Sequence, residues 1–109
     1  MAATYKVLGQ SAPSATTNTS LYVVPSSTST IISTLTVCNR DTSAGTYRIA
    51  IRPAGATIAN SHYIVYDSSI AANDTVTFTL GITLATTDVV TVYASSANIS
   101  FNAFGSELT

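Results

Sequence analysis

An all-β chain folded as an antiparallel β-sandwich of about eight strands, jelly-roll or immunoglobulin-like, is what these 109 residues predict. Three observations carry that expectation. Apolar and polar residues alternate in short runs rich in β-branched and aromatic side chains. Turn-forming residues separate the runs at spacings of about ten residues. No stretch keeps a 3.6-residue period over a dozen positions.

Taken in order, TYKVL and SLYVV are short strand candidates near the start. STIISTLTVC offers Ile31, Leu35 and Val37 on one face, with Ser33 interrupting the alternation. From Thr46, TYRIAIR sets Tyr47, Ile49 and Ile51 on one side and Arg48, Ala50 and Arg52 on the other. HYIVYD follows, with Tyr63 and Tyr66 expected on opposite faces. TVTFTL turns Val76, Phe78 and Leu80 inward and Thr75, Thr77 and Thr79 outward. DVVTVYA carries Val90 and Val92 on one side and Val89, Thr91 and Tyr93 on the other. NISFNAF closes the series, with Ile99, Phe101 and Ala103 opposite Asn98, Ser100 and Asn102.

The connections NRDTSAG, PAGATIANS, SSIAAND and LATTD each hold the Gly, Pro, Asn or Asp that permits reversal. AGATIANS comes nearest to a helical turn, but Pro53 and Gly55 oppose a long one. The length suits one domain over residues 1–109. Residues 10–20, QSAPSATTNTS, are polar and low in complexity, and read as a long surface loop or an arm ordered against a neighbour.

Composition narrows function. Apolar residues make up 46% of the chain, enough for a core, while charged residues are only 8%, where roughly 25% is usual. Serine and threonine fill the difference, and so few charges leave association weakly opposed. A net charge of −1 offers no basic surface for phosphates, so no nucleic-acid partner is expected. No apolar run approaches the roughly 18 residues that span a bilayer, and the opening lacks the apolar stretch of a signal peptide, so no membrane partner is expected either. Sequons at Asn18, Asn73 and Asn98 are ordinary for so Ser/Thr-rich a chain.

Catalysis finds little to work with. His62 is the single histidine, and no GxSxG elbow presents a nucleophile for it. One His and one Cys cannot build a zinc site, and Asp41, Asp67, Asp74, Asp88 and Glu107 lack calcium-loop spacing. Four of these acids sit in turn-like contexts, where carboxylates cap their own backbone. No glycine loop cradles a phosphate. Cys38 lies in an apolar run and reads as a small buried hydrophobe. A non-enzymatic protein without cofactor or metal is the expectation.

The chemical variety is concentrated in YRIAIRPAGATIANSHYIVYD, residues 47–67. Arg48 and Arg52 lie four apart on one strand face, about 13 Å along it, with Ala50 leaving a shallow gap between two planar donors. Arginine and tyrosine are enriched at protein interfaces. Arg48, Arg52, His62, Tyr63 and Tyr66 are therefore the expected subunit-contact residues, with a solvated sheet face as the plain alternative.

This stretch, with IAANDTVTFTLGITLATTDVVTVYASSANISFNAFGSEL, resembles small virion proteins of tailed bacteriophages, including phages of cyanobacteria. An opening like MAATYKVLGQSAP, a LYVVP strand, a VCNR turn and an ending like FGSEL extend the resemblance over essentially the whole chain. Its motifs are structural: Asn39, Asn73 and Asp74 in turns, Gly81 and Asp88 bracketing a loop, Gly105 and Glu107 on the last strand. The resemblance implies a virion subunit assembled in the bacterial host cytoplasm, a homo-oligomer contacting other phage structural proteins. It would decorate or cement the capsid, or belong to the neck, tail or fibre. The alternative is a glycan-binding or adhesion sandwich, against which stand the absence of Trp and the placing of most of the nine aromatics inside strands.

Overall fold

The computed structural model describes residues 2–109 and contains nine strands. These are β1 (Ala3–Ser11), β2 (Thr19–Val23), β3 (Ser29–Asn39), β4 (Gly45–Arg52), β5 (Tyr63–Ile70), β6 (Thr75–Phe78), β7 (Ile82–Leu84), β8 (Val89–Ala94) and β9 (Ile99–Leu108). The added strand is β7, in the segment expected to be only a loop between Gly81 and Asp88. Two 3₁₀ turns, Pro53–Gly55 and Asn60–His62, occupy the AGATIANS region.

All pairings are antiparallel, and they are nested. β4 pairs with β5, β3 with β6 and β7, β2 with β8, and β1 with β9. The chain behaves as one long hairpin folded over on itself, and the further pairings β3–β9 and β4–β8 close it into two sheets. The orders are β1-β9-β3-β6, with β7 also on β3, and β2-β8-β4-β5. That pairing distinguishes a jelly roll from an immunoglobulin-like sandwich.

The inward stripes meet between the sheets. Ile32, Leu35, Val37, Ile99 and Phe101 come from the five-stranded sheet, and Tyr47, Ile49, Val90 and Val92 from the four-stranded one. Tyr47 packs edge-on against both Phe78 and Phe101, with ring centroids 6.3 and 6.4 Å apart. The alternations expected for β4, β8 and β9 hold here, and Val76 and Phe78 of β6 pack against the same core.

Bulges account for several departures from simple alternation. In β3, Ile32 faces Gly105 and Thr34 faces Phe104, so Ser33 is the extra residue. The phase changes there: Ile32 is buried and Ile31 faces out, the reverse of the expectation for Ile31. Leu21 is similarly extra in β2, which is how the adjacent Leu21 and Tyr22 are both buried. Leu80 was expected inward but is exposed, because β6 ends at Phe78 and the chain turns through Gly81 at φ +65°. Cys38 is half-buried on the outward side of β3, between buried Val37 and Asn39, and not a core residue as expected.

The polar segment is strand at both ends and surface loop between them. Gln10 and Ser11 belong to β1, Thr19 and Ser20 to β2, and only residues 12–18 form a loop. Pro13 is buried, and the Thr16 amide donates to the Ala94 carbonyl at 2.8 Å. The loop lies along its own domain because β1 and β2 belong to different sheets, and a chain crossing between them must cover the end of the sandwich.

Two polar clusters tie the layers together. Asn39, fully buried, shares its amide N–H groups among the carbonyls of Ser43, Ala71 and Ile70 and accepts from the Asp41 amide at 3.0 Å. Tyr22 of β2 meets Thr30 of β3 at 2.8 Å and donates to Glu107 of β9, which also accepts from Lys6 at 3.3 Å. Burial, then the Glu107 carboxylate, pushes the Tyr22 phenol up to about 12. The Tyr22 hydroxyl, with Lys6, holds Glu107 below the ordinary carboxylate range.

Candidate functional site

The most varied side-chain cluster lies on the outer face of the four-stranded sheet. Arg48 of β4 forks onto Asp67 of β5, its Nε donating to Oδ1 at 2.6 Å and its terminal nitrogen to Oδ2 at 3.2 Å. Its guanidinium carbon sits 4.3 Å from the Tyr66 ring centroid and 4.1 Å from that of Tyr93 on β8. One planar cation thus touches two aromatic rings and a carboxylate, each favourable for arginine. The Arg48 guanidinium holds Asp67 below its ordinary range and is itself held more firmly protonated by it.

Bulges in β5 build the aromatic part of this cluster. Ile49 faces Val65 but Ala50 faces Tyr63, so Ile64 is extra. A second irregularity lies between Tyr47 and Ile49, beside Asp67 at φ +50°. The extra residue carries Tyr63 onto the outward side with Tyr66, where their rings meet at 4.8 Å and 82°. Opposite faces were expected for these two tyrosines, and the bulge is the reason they share one. Asn60 joins them around an open depression of 460 Å³.

Arg52 and His62 go elsewhere. Arg52 donates from Nε to the Thr91 hydroxyl at 2.9 Å, and from a terminal nitrogen to the carbonyls of Ala56 and Gly55. It pins the 53–56 turn over β8, while Asp88 accepts from the Ala54 and Ala85 amides. His62 accepts the Ala59 amide on Nδ1 at 3.1 Å and closes its own 3₁₀ turn. The expected pair of free arginine forks around Ala50 is therefore not there: both guanidiniums are engaged within the chain, and Ala50 is buried. Arg48, Tyr63 and Tyr66 are brought together; Arg52 and His62 serve the neighbouring loop.

Asp67 and Tyr93 complete the cluster, and nothing in their local sequence marks them for it. Tyr93 sits on the outward side of DVVTVYA and directly faces Arg48 in register. That facing depends on β4 lying beside β8, which the sequence pattern alone does not specify. Asp67 is separated from Arg48 by 18 intervening residues and reads locally as a turn carboxylate.

The five-stranded sheet presents a different surface. Tyr5, Val7 and Ile31 are 84%, 48% and 40% exposed. Tyr5 and Ile31 flank Ser106 in register, and Val7 pairs with Phe104. Tyr5 and Ile31, with Lys6, Ser33, Phe104, Gly105 and Ser106, line a shallow depression of 380 Å³. β1 is the outermost strand, so one side of its backbone has no strand partner among the described residues. Among the described residues, no group of three His, Cys, Asp or Glu side chains is placed to hold a metal ion. No helix among these residues is long and apolar enough to cross a membrane. Comparison with family models, curated proteins and solved structures finds no match to this chain.

Proposed function

We propose that this chain is a non-enzymatic structural subunit that works through repeated contacts with copies of itself. In the particle setting that its sequence resembles, it is an accessory subunit of a tailed-phage virion, decorating or cementing the capsid or forming part of the neck, tail or fibre. The observation that carries the reading is the exposed row Tyr5, Val7 and Ile31 beside the open edge of β1. Exposed apolar patches mark association sites, and an unpaired edge strand is a template for another strand. A chain with 8% charged residues does little to oppose such contact electrostatically. A second copy is the natural occupant, because a two-fold pairing of β1 with β1 joins the two rows into one surface.

Sedimentation velocity over a concentration series tests the reading. The parent chain is expected to self-associate, and the double variant Tyr5→Lys, Ile31→Lys to sediment as a folded monomer at every concentration. A parent that stays monomeric throughout rejects assembly through this face. Co-purification of the chain with intact phage particles, read by mass spectrometry, tests the virion assignment.

A further inference from the structure

We propose that Tyr63, Tyr66 and Asn60 form a binding corner for a neutral hexopyranose unit, on the sheet opposite the assembly face. The two rings stand at right angles 4.8 Å apart, and Tyr66 remains 57% exposed despite the Arg48 contact. An aromatic face is electron-rich, and the C–H groups on one face of a pyranose ring are weakly electropositive, so the two stack. The depression beside the rings, 460 Å³, accommodates a single sugar ring.

Three features select the ligand class. The hydrogen bonds of this face run through Arg48, Arg52 and His62, leaving the Asn60 amide and two phenol hydroxyls to a ligand. Each of these groups can both donate and accept, which matches sugar hydroxyls; a proline-rich segment offers carbonyl acceptors alone. Arg48 and Asp67 neutralise one another across their fork, so the corner shows no net charge to attract a uronic acid, a sialic acid or a phosphate. The Arg48 contact also holds Tyr66 in place before a ligand arrives, which lowers the entropy cost of stacking.

The test is a titration of the full-length ¹⁵N-labelled chain, read by amide chemical shifts. The ligands are the methyl glycosides of glucose, galactose, mannose and N-acetylglucosamine, with methyl glucuronide and a proline-rich hexapeptide as contrasts. At least one neutral glycoside is expected to give saturable shifts confined to residues 60–67. Tyr66→Ala should weaken that binding about tenfold, as expected for a lost aromatic stack. Asn60→Ala, which leaves the sheet intact, should also weaken it, while Tyr5→Ala on the opposite sheet should not. Saturation by none of the four glycosides overturns the proposal, as does binding that survives both Tyr66→Ala and Asn60→Ala. Saturation by the glucuronide alone or the peptide alone overturns it too. The readout is local to this corner, so its failure leaves the sedimentation result on the other sheet standing, and the reverse.

Discussion

The outer faces of the two sheets are built from the same kind of alternating strand, yet one is cross-linked by its own charged side chains and the other is not. On the four-stranded sheet, Arg48 binds Asp67 between two tyrosine rings, and Arg52 ties down the 53–56 turn. Val89 and Thr91, outward on β8, are buried as a result. On the five-stranded sheet the outward contacts are neutral and sparse, such as Gln10 to Asn102 and Ser33 to the Phe104 carbonyl. The row of Tyr5, Val7 and Ile31 stays exposed. Two arginines braced inside the chain hold one face and leave Val23, Ile64 and Tyr66 exposed around them, while the other face carries its exposed row without such bracing.

The largest expected effect lies in the core that both faces share. Phe101→Ala should cost about 3–5 kcal/mol in chemical denaturation, while Phe78→Ala, at a half-buried site, should cost clearly less. Equal losses would mean that the edge strand β6 is packed as tightly as β9. Next comes the open face: a Cβ at Gly105 would lie 2.0 Å from the Ile31 carbonyl oxygen. Gly105→Ala should therefore cost about 3 kcal/mol and disturb the β3–β9 ladder, read by amide exchange at Ile31 and Ile32. A neutral outcome would show that the five-stranded sheet yields where the four-stranded sheet is braced.

A smaller effect separates the faces by pH. With Tyr22 raised to about 12, the stability it represents is intact below the ordinary phenol value near 10 and is lost as pH climbs towards 12. Tyr22→Phe should remove that alkaline loss. At the acid end, Glu107 and Asp67 are both held low, so each contributes above the ordinary carboxylate range near 4 and loses that contribution as pH falls through its lowered value. Asp67 is the more exposed of the two, so its part should fade with added salt, and Glu107's should persist. Thermal melts at acid pH in low and high salt check this. The smallest expected change in stability is that of Arg48→Ala, which should barely move the melting midpoint because the pair is near the surface. It should nonetheless free the Tyr66 ring, seen as averaged ring shifts. An immobile Tyr66 in that variant would show that the corner is held by β5 itself.

Much of this was legible from local pattern. TYRIAIR, DVVTVYA and NISFNAF place their apolar stripes as the pleat requires, since alternation is a property of the strand and needs no knowledge of its neighbour. Asp88 was readable as a turn carboxylate for the same reason and accepts the Ala85 amide three residues back, but its bond from the Ala54 amide and those to Asp41 from the Ser96 and Asn98 side chains come from distant chain. The aromatic corner was not legible. Its rings share a face only because Ile64 is an extra residue against β4, and nothing in HYIVYD marks Ile64 as extra. The same mechanism at Ser33 turns Ile31 outward: the sequence shows the interruption of the alternation but not its consequence for phase.

The identity of eight of the nine strands and the core-facing residues of the regular ones were determined by the sequence itself, because each follows from neighbours one or two positions apart; the scarcity of charge is composition alone. Only the tertiary structure decided the nested pairing that makes a jelly roll, the bulges that rotate Ile31 and Tyr63, and the meeting of Arg48 with Asp67, Tyr66 and Tyr93. Those depend on which strands lie side by side and in what register. Such pairings are settled by the summed burial of both sheets rather than by any one stretch of chain.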